Sequence, residues 1–158
     1  MNFTCCEQIG GFKHLDVFLL EETSNWPCVV NDRNSHQINI DPNDAPVCAS
    51  VLPESIRVTE NSRRTEAGTR YDIEITFEYN VHSSLLEYYL DQYAAHPVIV
   101  EVCKNFKQSK MYGTDKSPLY LTYENKNGRR PEDALVIEVT IKGTTTTRPI
   151  HRLLPAAV

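Results

Sequence analysis

The sequence predicts a mainly β fold, all-β or α+β: an antiparallel β-sandwich or partly closed barrel with one flanking helix. Three observations carry that prediction. The stretch TRYDIEITFEYN (69–80) alternates without a break. It places Tyr71, Ile73, Ile75, Phe77 and Tyr79 on one side of a strand and Asp72, Glu74, Thr76 and Glu78 on the other, the pattern of one buried and one wet face. Helical periodicity is convincing in a single stretch, 83–96. The strand-like runs form hairpins rather than alternating with helices, which argues against a parallel sheet with crossovers. At 158 residues and 41% apolar content, the chain (1–158) reads as one domain with a real core.

Taken in order, FKHLDVFLL (12–20) is the first strand, with Leu15, Val17 and Leu19 on one face and His14 and Asp16 on the other. Residues 21–53 are rich in Asn, Asp and Pro, punctuated by Pro27, Pro42, Pro46 and Pro53. They read as a long loop or arm suited to partner contact, with one short strand candidate, HQINI (36–40). ESIRVTE (54–60) is a strand joined to the alternating one through NSRRTEAGT, nine polar residues. The result is a long hairpin at 54–79 with a charged, mobile tip.

In SSLLEYYLDQYAAH (83–96), Ser84 and Glu87 have capping-box spacing, and Leu86, Tyr89, Leu90 and Tyr93 form one stripe. Pro97 ends the helix by disfavouring helical backbone at His96. PVIVEVCK (97–104) and PLYLTYE (118–124) are further strands, and NKNGRRPED (125–133) is a turn around Asn127-Gly128. ALVIEVTIKGTTTTRPI (134–150) closes the fold as one long strand, for about six or seven strands in all.

Net charge is −5, unevenly spread: residues 1–60 hold nine acids against three bases, and from Lys104 onward ten bases meet five acids. Such polarity supports head-to-tail contacts between copies, and loops of differing composition produce it equally well. No apolar run is long enough to span a bilayer as a helix. MNFTCCEQIGG carries neither the basic nor the apolar region of a signal peptide. The five cysteines, Cys5, Cys6, Cys28, Cys48 and Cys103, include no CxxC spacing and read as free thiols of a reducing cytoplasm.

Catalytic patterns are missing. His14, His36, His82, His96 and His151 form no HxH, HxxxH or HExxH motif, and no GxSxG occurs. Cys103 sits in a dense strand and reads as a small core residue. Asp72, Glu74 and Glu78, with Glu101 and Glu138 on neighbouring strands, could form an acid/base pair, but any solvated amphipathic strand shows the same spacing. The basic pairs Arg63-Arg64 and Arg129-Arg130 lie at two tips without interleaved aromatics, unlike a duplex-binding surface. The chain therefore reads as a non-enzyme, without cofactor or metal.

A short Cys-containing lead, GGFKHLDVFLLEE, precedes a hairpin ending in GTRYDIEITFEY, a helix, PVIVEV, LTYENKNG and a final VIEVTIKGTTTTRP. This succession resembles the tail-tube and tail-ring proteins of tailed bacteriophages, closest to virion proteins of phages of gut Bacteroidota. The likeness covers nearly the whole chain and rests on the order of patterns, not on a diagnostic motif. The 21–53 segment, and the lack of a clear N-terminal arm, depart from the simplest tube proteins and leave open tube, terminator or a ring near the portal.

The resemblance implies a tail-tube-like structural virion protein, made in the host bacterial cytoplasm and residing in the virion tail. It would form a homo-oligomeric ring of the tail or head–tail region around a DNA-conducting lumen. Its partners are then copies of itself, neighbouring tail or portal-proximal proteins, and genomic DNA passing without specific binding; no membrane is involved. On that reading Asp72, Glu74 and Glu78 face the lumen, where basic groups would hold phosphate through counterion release. The hairpin tip, Arg63, Arg64 and Glu66, contacts a neighbouring subunit. The alternative for the three carboxylates is a plain solvated face. For the chain it is a monomeric β-sandwich binding module recognising a protein or glycan through the 21–53 and 61–69 loops, and a hydrolase using the acidic face ranks last.

Overall fold

The computed structural model describes residues 12–40, 51–80, 84–104, 108–126 and 136–153. Along the chain run β1 (Phe12–Leu19), β2 (Thr23–Ser24), β3 (Asn39–Ile40), β4 (Arg57–Thr65) and β5 (Gly68–Tyr79). Then come α1 (Ser84–Ala94), β6 (Val98–Lys104), β7 (Gln108–Tyr112), β8 (Tyr120–Lys126), β9 (Val136–Thr145) and β10 (Ile150–Leu153). The fold is mainly β. One four-stranded sheet has the order β1-β6-β7-β10, a second β4-β5-β9-β8, and β2 pairs with β3 alone. Every pairing is antiparallel, and no barrel closes among the described residues.

Alternation decides which side chains meet between the sheets. Leu15, Val17, Val98, Val100, Val102 and Tyr112 of the first sheet join Ile73, Ile75, Phe77, Tyr79, Val139 and Ile141 of the second in one buried cluster. Leu86, Leu90 and Tyr93 of α1 complete it. The helix is tied to β8, where Tyr123 donates its hydroxyl to Asp91 and Asn125 Nδ2 donates to Glu87 at 2.9 Å. Gly143 on β9 is a packing requirement. A Cβ there would lie 3.2 Å from the Pro118 carbonyl oxygen and 3.3 Å from Leu119 Cα, so the approach to β8 leaves no room for a side chain.

The back of the first sheet is also covered. Val30, Ile38, Ile99, Met111 and Ile150 form a second apolar cluster, with Leu20, Trp26 and Ile40 packed against it. Residues 20–40 therefore lie on the domain itself. Asp32 holds them there, accepting from Arg148 Nη2 at 2.8 Å and from the His151 backbone N–H at 3.0 Å. HQINI supplies a 3-10 turn at Ser35–Gln37 followed by β3. This second cover explains why β6 is apolar on both faces, buried from Val98 to Cys103.

Several boundaries differ from expectation for physical reasons. A 3-10 turn fills Pro53–Ser55, and the strand expected from 54 starts at Arg57. Ser55 explains the delay: its Oγ accepts from the Glu78 N–H at 2.9 Å and donates to the Leu52 carbonyl at 2.7 Å. The nine-residue hairpin tip contracts to Glu66 and Ala67, because β4 and β5 pair through to Thr65 opposite Gly68. Gly68 takes φ 116° there, a conformation that favours glycine. The expected single closing strand is two, β9 and β10, lying in different sheets. Pro149 has no N–H to continue the ladder. QSKMY (108–112) is a strand that no sequence pattern announced. Helix α1 begins at Ser84 itself rather than after it. The turn at Asn127-Gly128, the Arg129-Arg130 pair and His82 lie outside the described residues.

Candidate functional site

The outer face of the β4-β5-β9-β8 sheet carries the residues that the sequence singles out. Strand parity puts Asp72, Glu74 and Glu78 there, because Tyr71, Ile73, Ile75, Phe77 and Tyr79 turn toward the core. Register then fixes their neighbours. Asp72 faces Thr144, Glu74 faces Lys142 and Glu78 faces Glu138. Asp72 accepts from Thr144 Oγ1 at 3.0 Å and pairs with Arg63 Nε at 2.8 Å. Glu74 pairs with Lys142 Nζ at 3.6 Å. Asp72, expected from the sequence at a lumen, and Arg63, expected at a subunit contact, are thus bonded to each other.

The face is mixed in charge rather than acidic. Asp72, Glu74, Glu78, Glu124 and Glu138 share it with Arg57, Arg63, Arg70, Lys126 and Lys142. The signs are not evenly distributed. At one end, register sets Glu78 opposite Glu138 and Glu138 opposite Glu124, a rung of three carboxylates over three strands. Like charges directly opposite are destabilising. Lys126 serves all three: its Nζ donates to Glu138 Oε2 at 2.7 Å. That bond, with the Glu138 charge and the fields of Glu124 and Glu78, holds its ammonium above the ordinary lysine value. At the other end, Arg63 lies opposite Arg70. Among the described residues neither Arg64 nor Arg70 has an ion-pair partner.

That basic end overhangs the sheet. β9 pairs with β5 only from Tyr71 onward, so the rungs Arg63–Arg70, Arg64–Thr69 and Thr65–Gly68 stand as a two-stranded ribbon, roughly 10 Å long at the usual rise per residue. Glu66 sits in its exposed turn. At the acidic end the Pro53–Ser55 turn and the sheet enclose an open groove of about 480 Å³ lined by Glu54, Arg57, Glu78 and Glu138 among others.

Two polar groupings escape sequence reasoning. Glu101 is not beside Asp72, Glu74 and Glu78; it lies in the other sheet, opposite Asp16. It is 6% exposed, accepts from Ser109 Oγ, and meets Arg152 Nη1 at 3.2 Å. Burial pushes the Asp16 carboxyl up; the attraction of His14 opposes this and the Glu101 charge adds to it. A carboxylate inside the apolar run PVIVEVC was the available signal, since a buried charge needs a partner. The second grouping joins the sheets: Glu60 accepts from Lys110 Nζ and Tyr112 OH, each at 2.6 Å. Burial pushes Glu60 up, but these hydrogen bonds and the ammonium outweigh it and leave its pKa below the usual glutamate value. Burial and the bond to Glu60 raise the Tyr112 phenol beyond the accessible range.

Among the described residues no group of three His, Cys, Asp or Glu side chains could hold a metal ion. Cys103 is a buried thiol and Cys28 an exposed one, neither in a disulfide, while Cys5, Cys6 and Cys48 lie outside the described residues. No family model, characterised protein or solved structure matches this chain.

Proposed function

We propose that the chain is a structural virion protein of a tailed bacteriophage, forming a homo-oligomeric ring of the tail or head–tail region around a lumen that conducts DNA. The observation that carries the reading is the β4–β5 ribbon. β4 is a nine-residue strand paired on one side only among the described residues, and its end projects past the rest of its sheet. A free edge on a projecting ribbon serves a neighbouring chain better than its own domain. The sandwich-like fold and the flanking helix agree with the family that the sequence resembles.

The outer face suits a conduit in a revised way. Arg63, Lys142 and Lys126 are already paired with Asp72, Glu74 and Glu138, so three of the five described cations on this face that would grip phosphate are held by carboxylates of their own sheet. A surface of that kind neither attracts duplex nor strongly repels it. Sedimentation velocity and electron microscopy of the purified protein test the assembly. A large symmetric species or polymer is expected; a monomer at every concentration would instead favour a binding module.

A further inference from the structure

The two like-charge ends of the outer face are complementary to each other, and within one molecule they cannot meet. Arg70 and Glu78 are eight residues apart on β5, roughly 27 Å along an extended strand. Each end is internally repulsive: Arg63 opposes Arg70, and Glu78, Glu138 and Glu124 oppose one another. The basic end projects past the rest of its sheet. The acidic end is concave, the groove of about 480 Å³ having Glu54, Glu78 and Glu138 against the single cation Arg57.

We infer that this groove receives the arginine-bearing ribbon tip of a second copy, head to tail. Arg70 on the outer face would reach Glu78, and Arg64, which register sets on the opposite face of the ribbon, would reach Glu54 on the groove's other wall, leaving the internal pairs Arg63–Asp72 and Lys126–Glu138 in place. Each copy then offers one tip and one groove, a heterologous contact that closes into a ring or runs on as a filament. The Glu78 backbone is already fixed by Ser55, so the groove is built before the tip arrives, which limits the ordering cost of binding. This inference rests on the ring reading, which supplies the second copy.

The test is charge exchange. Arg64→Glu with Arg70→Glu reverses the tip and Glu54→Arg with Glu78→Arg reverses the groove; none of the four is a core residue or a direct member of the pairs Arg63–Asp72 and Lys126–Glu138. Each variant alone is expected to weaken self-association at least about tenfold, with the loss largest at low salt. The two variants mixed should associate again, and so should one chain carrying all four changes. Circular dichroism melts confirm folding, and glutamine in place of each reversed residue serves should a reversal unfold the chain. Association that survives both reversals, or is not regained in the mixture and the fourfold variant, overturns this contact while leaving the ring reading standing. A wild-type protein that never associates overturns both.

Discussion

Residue by residue, two partly covered carboxylates of this protein, Glu60 and Asp16, are of opposite thermodynamic kinds. Glu60 is held below its usual pKa by Lys110 and Tyr112. A carboxylate lowered on folding adds stability above its unfolded pKa and loses it as pH falls through the folded value. Wild-type stability should therefore drop in acid below about pH 4.3, the ordinary glutamate range. Glu60→Gln should be less stable at pH 7 by about 1 kcal/mol, melt lower, and show less of that acid loss. Asp16 behaves in the opposite sense. Burial, and the Glu101 charge across the β1–β6 pair, hold its pKa high, so its ionised form costs stability at neutral pH. Asp16→Asn should be more stable at pH 7, by no more than about 1 kcal/mol because part of the side chain meets screening solvent, and so melt higher. The gain should shrink as pH falls and wild-type Asp16 takes up its proton. Thermal melts across pH 3–8 check both, and an Asp16→Asn protein that melts lower at pH 7 would show that the His14 attraction dominates.

At the level of elements, α1 tests how far the pattern governs packing. Leu86, Leu90 and Tyr93 are buried against the core, Leu90 being wholly so. Leu90→Ala should cost about 2–5 kcal/mol, seen as a lower denaturation midpoint and less folded protein. The exposed Leu85, truncated to alanine, should change little. The stripe was legible because one helix face repeats every three to four residues, and β5 was legible because its alternation is perfect. β7 was not. In QSKMY one side bears Ser109 and Met111, buried on the sheet's back under its cover. The other bears Lys110 and Tyr112, which turn inward to Glu60. With polar and apolar residues on both faces, the period vanishes. The 20–40 segment was illegible for a related reason, because its Val30, Ile38 and Trp26 are too widely spaced to show a period and acquire their role only from the sheet beneath them. The outward direction of Asp72, Glu74 and Glu78 could be read, but their cationic neighbours could not, since register is set between strands distant in sequence.

For the whole molecule, the ring proposed above makes one question decisive: how the outer face treats DNA. Wild-type side chains offer few uncommitted cations there, so an assembled ring should retain little duplex even at low salt. Replacing Asp72, Glu74 and Glu78 with lysine changes that at every copy. Arg63 and Lys142 lose their partners and the new ammonium groups at 72 and 74 join them, while the one at 78 faces Glu138, so these positions present four uncompensated positive charges per subunit. Ring symmetry multiplies the number, and phosphate binding through counterion release rises steeply with it and falls steeply with salt. The fold should persist, because all three side chains point away from the core, at a cost of about 1–2 kcal/mol for the exposed pairs lost. Because Glu78 also belongs to the proposed groove, the Asp72→Lys, Glu74→Lys double variant separates the two effects. It should assemble like wild type yet retain duplex DNA at about 50 mM salt and release it at several-fold higher salt. Filter retention of labelled duplex by assembled protein measures this directly. If wild-type assemblies already hold duplex tightly, or if the double variant assembles and holds none, the outer face is not the wall of a conduit and Asp72, Glu74 and Glu78 return to being the solvated side of a strand.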